Sequence, residues 1–152
     1  MFFRFAYEAE FYPTLSRLPL HVRMKLDLTG VKISLKDWLA FSFEERTVLC
    51  HLPIDTVEER IVFSSYLDFL SRNHHRGEPV TRTEPMDSSR WEQSEVPAPV
   101  AQKSAADSRA VTPYEWRRWQ SHQRYALYKT AISKNQPGAF EQILDELRNS
   151  KN

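Results

Sequence analysis

The chain of 152 residues contains a single cysteine, Cys50. One thiol excludes an intramolecular disulfide, a four-cysteine iron–sulfur site and a zinc ribbon. It also fits a reducing cytoplasm. Glycine is almost as scarce: Gly30, Gly77 and Gly138 are the only three. That excludes glycine-rich phosphate loops and argues against a fold of many tight hairpins. Charge of one sign is also missing, since 21 basic residues face 20 acidic ones for a net charge of +1. Such a balance favours neither nucleic acid nor a charged membrane surface. Long apolar runs are absent too. Arg4, Glu8 and Glu10 interrupt the N-terminal aromatics, so nothing there reads as a secretory signal of roughly 7–15 apolar residues. No run approaches the ~18 needed to span a bilayer.

What the chain does contain is a repeat. Ser34–Leu52, SLKDWLAFSFEERTVLCHL, shifted by 78 positions lands on Thr112–Thr130, TPYEWRRWQSHQRYALYKT. Asp37 meets Glu115, Trp38 meets Trp116 and Phe41 meets Trp119; Arg46 meets Arg124 and Leu49 meets Leu127. Upstream, Pro19 meets Pro97, Val22 meets Val100 and Lys25 meets Lys103, with no gap from Pro19 to Leu49. Self-similarity at a fixed shift suggests a duplicated structural unit.

Helix signals fill both copies. Leu18, Val22 and Leu26 form one apolar stripe after Pro19, with Gly30 placed for a left-handed C-terminal cap. Arg23, Lys25 and Asp27 lie off that stripe, and His21, Arg23 and Lys25 read as a solvated edge. Ser34 with Asp37, Ser42 with Glu45, Thr56 with Glu59 and Thr112 with Glu115 mark capped helix starts; Gln120 with Gln123 is a weaker signal. Pro53 ends the helix begun at Phe43, whose buried side is read as Val48, Leu49 and Leu52. The longest helix follows Thr56, with a stripe of Phe63, Tyr66, Leu67 and Leu70 carried back to Ile61 and Val57 and a basic end at Arg72–Arg76. Pro137 opens the last, with Phe140, Ile143, Leu144 and Leu147 on one face. Residues 2–11 alternate instead, placing Phe3, Phe5, Tyr7, Ala9 and Phe11 on one side, as an extended arm or edge strand would. Gly77–Glu95 is polar and proline-bearing and reads as a crossing loop, within which Trp91 is an anchor to the helical body.

These signals predict an all-α fold of two pseudo-repeated halves of short helices, with an extended N-terminal arm and a long crossing loop. The chain is then one helical domain, residues 1–152: repeat one at 18–74, the linker at 77–95 and repeat two at 96–149. Trp38, Phe41, Arg46, Leu49, Trp116, Arg124 and Leu127 are the expected anchors of the repeat. Arg46 and Arg124 are placed either to bridge back to Asp37 and Glu115 or to stand exposed on their helices.

No catalytic, cofactor or metal constellation emerges. Cys50-His51 and His74-His75 are adjacent pairs, and adjacent residues on a helix diverge by about 100°. Cys50 sits on an apolar pattern, as a packed thiol does. Two short helices at an angle also evoke a helix-turn-helix DNA-binding regulator, and the copy with Arg117, Arg118, Arg124 and Lys129 would be its reader. The most promising partner surfaces are Arg23 with Lys25, and Arg117 and Arg118 beside Trp119, which combine charge with aromatic or apolar ground.

Two segments carry a family likeness: FYPTLSRLPLHVRMKLDLTGVKISLKDWLAFSFEERTVLCHLPIDTVEE and VTPYEWRRWQSHQRYALYKTA. Together they resemble the nitrate reductase-associated protein family of cyanobacteria and some other bacteria. The resemblance implies a small cytoplasmic, non-enzymatic accessory protein without a cofactor. Its partner would be the assimilatory, molybdenum-dependent nitrate reductase or its cofactor-assembly machinery; apart from the resemblance, the charge balance and the lack of a long apolar run favour neither a nucleic acid nor a membrane. Family members often carry cysteines near the places of Arg17 or Leu18 and of Ile54; this chain has none there.

Overall fold

The structure, a computed structural model, describes residues 1–74, 77–106 and 108–149. Its helices are α1 (Leu20–Thr29), α2 (Leu35–Ala40), α3 (Phe43–His51), α4 (Val57–His74), α5 (Ser89–Glu92), α6 (Ala98–Ala106), α7 (Pro113–Arg118), α8 (Ser121–Ile132) and α9 (Ala139–Asn149). The only strands among the described residues are β1 (Val31–Lys32) and β2 (Thr81–Arg82). They pair antiparallel with Val31 opposite Arg82. The fold is thus predominantly all-α, as the helix signals predict.

The chain forms two compact units. The first holds Met1–Arg4 and Glu8–Met86; the second holds Phe5–Tyr7 and the chain from Asp87 onward. The first therefore contains α1–α4 with both strands, and the second contains α5–α9.

In the first unit Gly30 closes α1 at φ 71, its N–H donating to Leu26 O. The chain then enters β1. Thr83 N donates back to Gly30 O at 2.8 Å and Met86 N to Asp27 O at 2.8 Å, which fastens the β2 segment to the end of α1. Ser34/Asp37 and Ser42/Glu45 form full capping boxes on α2 and α3. Thr56 and Glu59 exchange the same bonds at α4. Each box satisfies amides that the first helical turn leaves without partners. Trp38, Phe41, Leu49, Phe63, Leu67 and Leu70 are buried in this core.

In the second unit Thr112/Glu115 and Gln120/Gln123 cap α7 and α8 in the same way, and Pro113 occupies the first turn of α7. Trp91, Val100, Trp116, Tyr125, Leu127, Phe140, Ile143 and Leu144 are buried there. Arg148 forms a two-pronged bond to Glu115, Nε–Oε2 2.8 Å and Nη2–Oε1 3.0 Å, linking α9 to α7.

Four local readings are corrected. The N-terminal alternation does not become a strand: Ala6–Glu8 is a 3₁₀ turn, Ala9 is exposed and Glu8 is buried. Glu8 accepts from Leu20 N at 2.9 Å and from Tyr12 Oη at 2.7 Å. Pro19, at the N-cap of α1, offers no side-chain acceptor, so Glu8 caps that helix from twelve residues upstream. The stripe of α4 does not extend back to Val57 and Ile61, which are 70% and 59% exposed. Val48 is exposed as well, and Cys50 takes its place in the core beside Leu49. The segment 77–95 is not loop throughout, since it carries β2 and α5. Of the basic end read at Arg72–Arg76, His75 and Arg76 lie outside the described residues.

Candidate functional site

Both conspicuous arginines of the repeat bind backbone carbonyls. Arg46 donates through Nε and Nη2 to Phe41 O at 3.1 and 2.9 Å, through Nη2 to Leu39 O at 3.2 Å, and through Nη1 to Thr14 O at 3.1 Å and Leu15 O at 3.3 Å. Arg124 donates through Nε to Trp119 O at 2.9 Å, through Nη2 to Arg117 O at 2.9 Å and through Nη1 to Glu92 O at 3.1 Å. The neighbouring indoles follow suit: Trp38 Nε1 donates to Leu15 O at 2.8 Å and Trp116 Nε1 to Gln93 O at 3.0 Å.

Both arginines are half-buried. Neither the carboxylate bridge nor the freely exposed arginine describes them. The physical reason is local. A two-turn helix ends in carbonyls with no intrahelical donor, and a planar guanidinium supplies several donors in one fork. Glu115 is instead taken by Arg148, whose bond is the main cause holding its carboxyl below the usual range.

The surface residues singled out from sequence fare differently. Lys25 is 1% exposed and lines no surface. Its Nζ reaches inward to Cys50 O at 2.6 Å, Leu49 O at 3.3 Å and Met1 O at 3.1 Å. It thereby caps the carbonyl end of α3. Burial lowers its ammonium to about 8. His21 is also buried, its Nδ1 accepting from Phe3 N at 3.0 Å, so the solvated edge read at His21 and Lys25 does not exist. Arg23 is half-buried with Nε on Leu18 O at 3.3 Å. Cys50 is fully buried, and burial pushes its thiol up to about 12. The thiolate needed for nucleophilic attack is not the form present near neutral pH.

In the second unit, charged and aromatic side chains stand together at the end of α7. Arg117 and Arg118 are exposed at the end of α7, and Trp119 is half-buried beside them. Trp119 meets Trp116 edge to face, with ring centroids 6.4 Å apart. Tyr114 is 67% exposed and lies under the Arg118 guanidinium at 5.5 Å. Tyr114 was not singled out in the sequence; its i, i+4 spacing from Arg118 is the signal that places it there. Trp91 is fully buried, its ring 5.0 Å from Tyr125 and its Nε1 donating to Ser121 Oγ at 3.1 Å. Among the described residues no group of three or more metal-ligating side chains occurs, and no helix is long and apolar enough to cross a membrane.

With this geometry in place, the chain can be compared with known families. The model of the conserved nitrate reductase-associated protein family fits residues 3–147. The chain belongs to that family. The match takes in both units, including the segment that carries Trp91 and α9 as far as Leu147. The family's description places its members in association with nitrate reductase and does not make them the reductase. No curated protein and no solved structure matches the chain.

Proposed function

We propose that this nitrate reductase-associated protein is a non-enzymatic accessory factor that works by binding. It supports maturation or activity of the assimilatory, molybdenum-dependent nitrate reductase in the cytoplasm, by contact with the reductase or with the machinery that assembles its cofactor. Family membership supports the association. The observation that carries the binding mode is the edge of α7, where Tyr114, Arg117, Arg118 and Trp119 stand together. Arginine and aromatic side chains are the types most enriched at the energetic centres of protein interfaces. The positive charge of this edge selects an acidic patch on the partner.

The test is co-purification of tagged protein from nitrate-grown cells, wild type beside Arg117→Glu/Arg118→Glu. Wild type is expected to recover a reductase subunit or a cofactor-assembly protein, and the double variant to recover neither. Equal recovery by both removes the α7 edge from the reading. Recovery of no such protein by wild type defeats the reading altogether. A deletion strain separates the level of action. Reductase polypeptide that is present but inactive fits an accessory factor; loss of the transcript favours a DNA-binding regulator instead.

A further inference from the structure

The first unit leaves an apolar helix face uncovered. On α4, Ile61, Val62 and Phe69 are 59%, 55% and 56% exposed, while Phe63, Leu67 and Leu70 on the opposite side are fully buried. A helix normally has one apolar stripe, against its own core. Here the second face is bounded by an acidic residue at the N-terminal end, Glu58, and a basic one at the C-terminal end, Arg72, both exposed. At 100° per residue Glu58, Ile61, Ser65, Phe69 and Arg72 all project toward this outer side. Ser65 lies midway between Glu58 and Arg72, and also midway between Ile61 and Phe69.

We propose that this face is a dimer interface, in which α4 pairs antiparallel with α4 of a second copy about a two-fold axis at Ser65. The pattern is self-complementary in that arrangement and in no parallel one. Glu58 faces Arg72 of the partner subunit, and Ile61 faces Phe69 of the partner subunit, with each contact made twice. That reciprocity is what a two-fold interface demands. A parallel pairing would set Glu58 against its like charge, and Arg72 likewise, which is unfavourable. The short side chain of Ser65 lets the two helices approach at the axis. Arg72 already bonds Asp68 at 2.9 Å, and its side chain remains 53% exposed with donors to spare. Dimerisation in this form uses none of the residues of the α7 edge, and its test does not depend on nitrate reductase.

Molar mass is measured by sedimentation equilibrium from micromolar to millimolar protein. Wild type is expected to shift to twice the chain mass. Phe69→Glu is expected to weaken the dimer by at least tenfold, and Glu58→Arg likewise, while Glu58→Arg/Arg72→Glu regains much of the loss. Ser65→Cys is expected to cross-link between copies under mild oxidation, because that residue meets itself at the axis; Val57→Cys, as exposed but at the helix end, is not. Cys50 is buried and stays out of this reaction. A monomeric mass throughout the range overturns the proposal. So does a dimer indifferent to Phe69→Glu, or Val57→Cys cross-linking as fast as Ser65→Cys.

Discussion

The two units hold their tryptophan with the same bonds on different supports. In each, an indole N–H reaches a carbonyl 23 residues upstream. In each, an arginine reaches carbonyls 5, 7 and 32 residues upstream. The donors of the second unit and their acceptors alike stand 78 positions after those of the first. We propose that this shared clamp is the trace of a duplicated module.

The supports differ. In the first unit the acceptor Leu15 sits at φ 51, a conformation costly for a branched side chain, with its N–H bonded to Phe11 O. In the second, Gln93 is an ordinary extended residue at φ −65, at the end of α5, where Trp91 is buried. The clamp tolerates either support because it binds carbonyls, which any residue supplies. The side chains around it are free to differ.

The strongest way to break the likeness is to remove the indoles. Trp38→Ala and Trp116→Ala should each cost ~3–5 kcal/mol. Denaturant melts giving unequal losses, or less than about 1 kcal/mol for either, would show that the two clamps do not bear equal weight.

The α1 and α6 termini come next. Gly30 at φ 71 has its counterpart in Ser108 at φ 59. A Cβ on Gly30 would lie 2.5 Å from Thr83 O, a backbone atom. Gly30→Ala should therefore cost about 3 kcal/mol, from strain and clash together.

The third difference is a matter of pH. His122 is buried in the second unit, and burial lowers it to about 4. The unfolded chain, titrating near ~6.5, takes the proton first. The contribution is intact above that value and is lost as pH falls toward 4. About 2–3 kcal/mol should disappear over that window. Glu115, held low by Arg148, adds a further loss at lower pH. The part due to His122 is the difference between wild type and His122→Asn, followed by urea melts at a series of pH values.

Arg46→Lys and Arg124→Lys should each cost about 2 kcal/mol, since an ammonium cannot span the fork of carbonyls. The smallest change has the opposite sign. Ser108→Gly should stabilise by up to about 1 kcal/mol in a thermal melt, because glycine accepts positive φ without penalty.

What was readable in the sequence follows from how local the interactions are. The capping boxes join residues three apart, so Ser34, Ser42, Thr56 and Thr112 announce their helices in the sequence alone. Gly30 and the stripe of α9 are equally short-ranged. Lys25 was misread because its acceptors, the carbonyls of Leu49 and Cys50, carry no side-chain signature and lie 24 and 25 residues away. Glu8 was misread for the same reason: alternation assigned it to solvent, but its partner is the amide of Leu20 at the start of a helix with no cap of its own. On α4, Val57 and Ile61 fit a helical period without facing the core, because periodicity fixes spacing and leaves open which of two apolar faces is buried. At the α7 edge the residue types were legible, whereas the stacking of Arg118 on Tyr114 required coordinates.

The amides of Ala6 and Tyr7 both donate to the carboxylate of Glu146, each at 2.9 Å. A stretch of chain is therefore secured by one made about 140 residues later. Translation runs from N- to C-terminus at roughly 5–20 residues per second. Phe5–Tyr7 must accordingly wait several seconds, until α9 has emerged, before they reach their final bonds. Growing chains stalled ahead of Glu146 will expose this segment to proteases, and full-length ones will shield it.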